Sequence, residues 1–84
     1  MILAIDIGNT HVVIGCLNEE DTRFIARVAT DQKKTEDEYA MMLLDLFQIH
    51  KLDGSQIEGA IMCSVVPGLT TALRRAVKLI LGYE

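Results

Sequence analysis

Two short apolar runs, Ile2 to Ile5 and Val12 to Leu17, stand on either side of Asp6-Ile7-Gly8-Asn9-Thr10. This arrangement constrains the fold more than any other part of the chain. An unbroken apolar run this short suits a central strand covered on both faces. Gly8-Asn9-Thr10 is tight-turn chemistry, so the two runs read as a β-hairpin. Asn18-Glu19-Glu20-Asp21 is polar and marks the next turn. From Thr22 to Thr30 the pattern alternates, with Phe24, Ala26 and Val28 on one side and Arg23 and Arg27 on the other. Period two with arginines outward is a half-exposed strand.

The period changes at Thr35-Glu36-Asp37-Glu38, a capping box with Thr35 as N-cap and Glu38 reaching back to it. Three acids in the first turn also suit the positive end of a helix dipole. This helix should run to about His50 or Lys51 and stop before Asp53-Gly54-Ser55. Its apolar residues, from Tyr39 through Met41, Met42, Leu43, Leu44, Leu46 and Phe47 to Ile49, cover more than one stripe. That breadth calls for burial by more than one neighbour. Ile57 to Val66 reads as a fourth strand, with Ile61, Cys63 and Val65 opposed to Ala60, Met62 and Ser64. Pro67-Gly68 opens a second helix, where a proline in the first turn forfeits no hydrogen bond. Leu69, Leu73, Val77, Ile80 and Leu81 form its apolar face, Arg74, Arg75 and Lys78 face outward, and Gly82 is a natural C-cap. The expected fold is α/β with the order β-β-β-α-β-α, without internal repeat or linker.

Charge and composition narrow the partners. Eight basic against 12 acidic side chains give a net charge of −4, which disfavours nucleic acid, whose phosphates call for a basic surface. No apolar run approaches the roughly 18–20 residues that span a bilayer. The start of the chain meets Asp6 before a signal sequence could form. A cytoplasmic protein without a membrane partner is therefore expected. Cys16 and Cys63 sit in apolar runs without CxxC or Cys/His spacing, so two buried, reduced thiols are expected rather than a zinc site.

One constellation carries chemistry. Nothing matches GxxxxGK[ST], and Gly8 and Gly15 do not make a GxGxxG. Asp6 at the end of a buried strand is costly unless it meets a cation or hydrogen-bond donors. Gly8 lets backbone approach a ligand closely, while Asn9, Thr10 and the turn amides offer converging donors of the kind that hold phosphate oxygens. Asp6 would then face a magnesium ion through its waters. The same residue types are common in hairpins, and Asp6 can equally cap the turn it precedes; spacing alone leaves both readings open. Elsewhere the residues read as structure: Tyr39 and Met41-Met42 as helix core or interface, His50 as a helix-end residue, and Ser64 as a hydrogen bond to the turn before Pro67.

Asp6-Ile7-Gly8-Asn9-Thr10, Thr30-Asp31 followed by Thr35-Glu36-Asp37-Glu38-Tyr39, and Ser64-Val65-Val66-Pro67 together resemble the type III pantothenate kinases, along essentially the whole chain. The resemblance implies a ribonuclease-H-like core of the actin and sugar-kinase superfamily. It further implies transfer of the ATP γ-phosphoryl group to pantothenate in coenzyme A biosynthesis, by a homodimer that needs magnesium and potassium or ammonium. By the same resemblance Asp6 is the metal-associated acid, and Gly8, Asn9 and Thr10 form the phosphate loop. The ATP-binding stretch then runs from Asp6 and Ile7 through His11, Val12 and Val13, the last two acting mostly through backbone. Where many relatives have Asn, this chain has His11, expected to be a solvent-facing turn residue.

The family's Gly-x-Asp-Arg segment, which supplies the proposed general base, has no match here, and neither do its second phosphate segment, adenosine segment and cation-binding acid. Residues 1–84 are therefore expected to be the N-terminal part of a single, incomplete first lobe, with the second lobe absent and the general base beyond Glu84. Two other functions fit the same residues. One is a non-catalytic nucleotide-binding or regulatory module that binds a protein partner; the other is an ATPase of the superfamily with a different substrate.

Overall fold

The computed structural model describes residues 1–82. Strands β1 (Ile2–Ile7), β2 (His11–Leu17) and β3 (Thr22–Ala29) form an antiparallel meander. Strand β4 (Gly59–Ser64) joins β1 in parallel, and the sheet order is β3-β2-β1-β4. Helices α1 (Glu36–Ile49) and α2 (Pro67–Leu81) complete the expected β-β-β-α-β-α order.

Register converts the apolar pattern into a core. Leu3, Ile5 and Ile7 stand opposite Cys16, Ile14 and Val12, and that row continues to Phe24, Ala26 and Val28 on β3. Tyr39, Leu43 and Phe47 of α1 and Leu69, Leu73 and Val77 of α2 pack on it, so both helices lie on one face of the sheet. The opposite face stays open. Ala4, Val13, Leu17, Ile25, Ile61 and Cys63 line a shallow apolar hollow there of about 340 Å³. Cover on both faces of β1 was expected, and these residues supply it on one. The reason is connectivity: the single crossover, from β3 to β4, lays α1 over one face, and α2 packs beside it.

The helix ends follow their sequence signals. At the start of α1 the Glu38 amide donates to Thr35 Oγ1 at 3.2 Å, and the Thr35 amide donates to Glu38 Oε1 at 3.0 Å. At its end Lys51 takes a left-handed conformation, φ 55°. The Lys51 amide donates to the Gln48 carbonyl and the Leu52 amide to the Phe47 carbonyl, at 3.2 and 2.8 Å, a Schellman closure that usually recruits glycine. His50, the C-cap, stacks on Phe24 of β3 with ring centroids 4.3 Å apart, a contact invisible in the sequence pattern. Pro67 opens α2, and Gly82 closes it at φ 79°.

Two further expectations need correction. The fourth strand is shorter than Ile57 to Val66, because a 3-10 turn at Gly54–Gln56, capped by Asp53, precedes it and a Ser64 side-chain bond ends it. The thiols also differ: Cys16 is buried, but Cys63 is exposed because its position in β4 turns it to the open face. Burial pushes the Cys16 thiol up, against smaller opposing effects of the N-terminal ammonium and Arg23. Met41 likewise points outward, whereas Tyr39 is core. Among the described residues no helix is long and apolar enough to cross a membrane.

Candidate functional site

Strands β1, β3 and β4 run in the same direction, so their C-terminal ends meet at one edge of the sheet. Ligands of open α/β sheets bind beyond such ends. Asp6 lies there, opposite Val13 of β2 and Cys63 of β4, and it is exposed. Ile7 and Val12 are fully buried, so they can serve a ligand only through backbone. Val13 is half-buried on the open face, while Asn9, Thr10 and His11 are exposed.

The turn closes on one hydrogen bond, from the Gly8 amide to the His11 carbonyl at 2.9 Å. Among the described residues only Lys51 and Gly82 have positive φ, so Gly8 does not serve a left-handed backbone. It serves space: a Cβ at Gly8 would stand 3.0 Å from the His11 carbonyl oxygen. Among the described residues neither the Asn9 nor the Thr10 amide donates to a protein acceptor. Two successive amides thus remain available at the tip of a short, sterically tight turn, donors of the kind that can meet an anion.

Sequence reasoning noted Thr30 within a motif but gave it no role in holding this turn. Thr30, directly after β3, donates through Oγ1 to the Gly8 carbonyl at 2.7 Å and through its amide to the Thr10 carbonyl at 2.9 Å. The next residue is anchored to the core. The Tyr39 hydroxyl donates to the Asp31 carbonyl at 2.7 Å and accepts from the Asp31 amide at 3.2 Å. Tyr39 itself is fully buried, and the Lys34 ammonium sits 5.6 Å from its ring centre. The available signal was the Thr30-Asp31 pair at a strand end, with Tyr39 on the helix that follows.

The second loop at this edge behaves as expected. Ser64 Oγ accepts from the Val66 amide at 3.0 Å and donates to the Val66 carbonyl at 3.1 Å. The Val65 amide donates to the Ile7 carbonyl at 3.0 Å. The Ser64 hydroxyl is thereby engaged as a loop brace rather than a nucleophile, and the start of α2 is tied to the end of β1.

The donor set bears on metal chemistry. Among the described residues no group of three or more His, Cys, Asp or Glu side chains could hold a metal ion. A single exposed carboxylate fits a hard cation only in the manner of magnesium, which keeps its waters and is shared between one or two carboxylates and substrate phosphates. Asp6, which lies at the end of β1 on the rim of the open-face hollow, offers one such carboxylate, and the turn that follows it offers the two amides. Arg74, Arg75 and Lys78 are exposed on α2, and Arg75 reaches Glu36 of α1 at 3.5 Å.

Sequence comparisons point in one direction. The sequence model of a family described as type III pantothenate kinase matches residues 2–84. A type III pantothenate kinase of Moorella thermoacetica is 40% identical over 84 residues, covering all of this chain and 33% of its own length. Another, from Finegoldia magna, is 40% identical over the same span, covering 32% of its own length. The chain therefore spans about a third of the length of the curated relatives it matches.

Proposed function

The chain belongs to the type III pantothenate kinase family, and on that premise we propose that it holds the phosphates of ATP in an enzyme that phosphorylates pantothenate, a step of coenzyme A biosynthesis. Residues 1–84 would form the N-terminal part of one ribonuclease-H-like lobe, and the rest of the site would come from residues outside them. In the same proposal the whole protein is a cytoplasmic homodimer using ATP, magnesium and potassium or ammonium.

The observation that carries the reading is the turn: two successive amides that find no protein acceptor among the described residues, braced from behind by Thr30, in a hairpin whose first strand carries the exposed carboxylate of Asp6 two residues before Gly8. In the reaction the bond between the γ-phosphorus and the oxygen bridging to the β-phosphate breaks. A bond from the pantothenate hydroxyl oxygen to the γ-phosphorus forms, the hydroxyl proton passes to a base outside these residues, and ADP leaves. The work asked of this chain is positioning and charge stabilisation, which dominate phosphoryl transfer. The Asn9 and Thr10 amides would hold phosphate oxygens, with Gly8 keeping the turn tight and Ile7, His11, Val12 and Val13 flanking it. Asp6 would orient a magnesium ion through its waters; when bound, that ion neutralises charge on the phosphate oxygens.

The test is Asp6→Asn in the full-length protein, measured by steady-state kinetics at saturating magnesium. Loss of a charge that acts as the phosphoryl group transfers should lower kcat by about 2–4 kcal/mol equivalent, roughly 30- to 1,000-fold, with pantothenate KM little changed. An unchanged kcat would make Asp6 a turn residue only. A protein that binds ATP yet never phosphorylates pantothenate would favour the regulatory module.

A further inference from the structure

We propose that Thr30 is the positioning residue of the phosphate-holding turn, setting the direction in which the Asn9 amide is presented. This rests on the reading of the turn given above. Among the described residues the turn has one internal hydrogen bond, from Gly8 to His11, and that bond fixes its base rather than its tip. The two further hydrogen bonds to its carbonyls both come from Thr30, one on the Gly8 carbonyl at 2.7 Å and one on the Thr10 carbonyl at 2.9 Å.

Peptide geometry gives these two bonds their consequence. The Gly8 carbonyl and the Asn9 N–H belong to one planar, trans unit and point in opposite directions. Drawing that carbonyl onto the Thr30 hydroxyl therefore turns the Asn9 N–H away from Thr30, towards the outside of the turn. The Thr10 carbonyl is fixed in the same way, so the peptide that carries the Thr10 amide is slung between two clamped units. Thr30 is itself held. Its neighbour Asp31 makes two hydrogen bonds to Tyr39 Oη, and Tyr39 lies in the core behind the capping box of α1. Threonine suits the task because branching at Cβ restricts the hydroxyl to few rotamers.

Thr30 touches no phosphate in this account; it acts through the turn. The experiment uses the full-length enzyme with Thr30→Val, which keeps the shape and removes the hydroxyl, and Thr30→Ser, which keeps the hydroxyl. KM for ATP and for pantothenate is measured separately, with thermal unfolding as a check. Thr30→Val should raise the ATP KM about tenfold, the scale of one lost hydrogen bond, while pantothenate KM stays within about twofold and Thr30→Ser stays near wild type. Should valine disturb packing, Thr30→Ala carries the same expectation. The proposal is overturned if Thr30→Val leaves the ATP KM unchanged, if both KM values rise together, or if serine is as damaging as valine. Gly8→Ala measured alongside separates the two ideas, because its added methyl would crowd the His11 carbonyl oxygen at 3.0 Å. A wild-type ATP KM in Gly8→Ala sinks the phosphate-turn reading, whereas a raised one with a silent Thr30→Val sinks only the role of Thr30.

Discussion

Replacing Gly8 by alanine should disable the turn, while replacing Gly15 by alanine in the same hairpin should do almost nothing. The difference follows from what each new methyl would meet. At Gly8 it would lie 3.0 Å from the His11 carbonyl oxygen, a backbone atom that cannot swing aside. At Gly15 the nearest atoms stand at 3.8 Å or more, ordinary contact distances. The His11 oxygen must therefore retreat by a few tenths of an ångström, and it is the same atom that accepts the closing bond from the Gly8 amide. Weakening that bond costs about 1 kcal/mol, and overpacking a fitted site costs about 1–3 kcal/mol. Roughly 2–4 kcal/mol of distortion should thus fall on the turn, where a misplacement of about 1 Å already impairs a bound ligand's geometry. In the full-length protein we expect Gly8→Ala to raise the ATP KM at least about tenfold and to lower kcat. Gly15→Ala should stay within about twofold on both, with both variants folded by circular dichroism. Equal behaviour of the two variants would refute the steric reasoning, and a wild-type ATP KM in Gly8→Ala would refute the importance of the turn.

Other expectations concern the chain as a whole. The 84-residue chain alone should show no pantothenate phosphorylation and should self-associate in light scattering, because its open sheet face and the exposed Met41, Leu44 and Ile49 invite contact; turnover like that of an intact kinase, or a clean monomer at high concentration, would contradict this. Lys51→Gly should raise the urea midpoint of unfolding. Relief of the left-handed backbone, about 1–2 kcal/mol, outweighs the greater freedom of glycine in the unfolded chain, about 0.5–1 kcal/mol; a lower midpoint would show that Lys51 makes a compensating contact. A thiol reagent should modify Cys63 quickly and Cys16 only on unfolding, since burial both hides the Cys16 thiol and raises its pKa. Equal labelling rates would contradict the buried position of Cys16.

Local signals in the sequence carried most of the architecture. The Thr35–Glu38 capping box, Pro67 at the head of α2 and Gly82 at its end mark backbone chemistry that needs no tertiary context. The alternation of Phe24, Ala26 and Val28 likewise set the buried face of β3. What misled was burial that depends on the neighbouring layer. Cys63 and Ile61 are as apolar as any core residue, yet they face the uncovered side of the sheet. The start of β4 was misread because Ile57, though buried, belongs to the exit of a 3-10 turn. At the candidate site the turn residues were legible because their types are unusual together. Thr30 was not, since its role depends on the pairing of β2 with β3, which brings it back beside Gly8 and Thr10.

The order of strands in the sheet also bears on when each part can form. The turn, its closing bond and the Thr30 clamp all lie within the first thirty or so residues, joined by two hairpins whose partners are neighbours in sequence. The pairing of β1 with β4 is different, for it brings Gly59 back to Ile2 across the whole of α1. Closing so long a loop is entropically dearer and slower than zipping a hairpin. A nascent chain should therefore be able to shape the meander while β4 is still inside the ribosome, with α1 and α2 settling onto it afterwards. Slow folding caused by damage to β4 or α2 would then delay the core, and with it the Tyr39 anchor behind Thr30, after the hairpins themselves have formed.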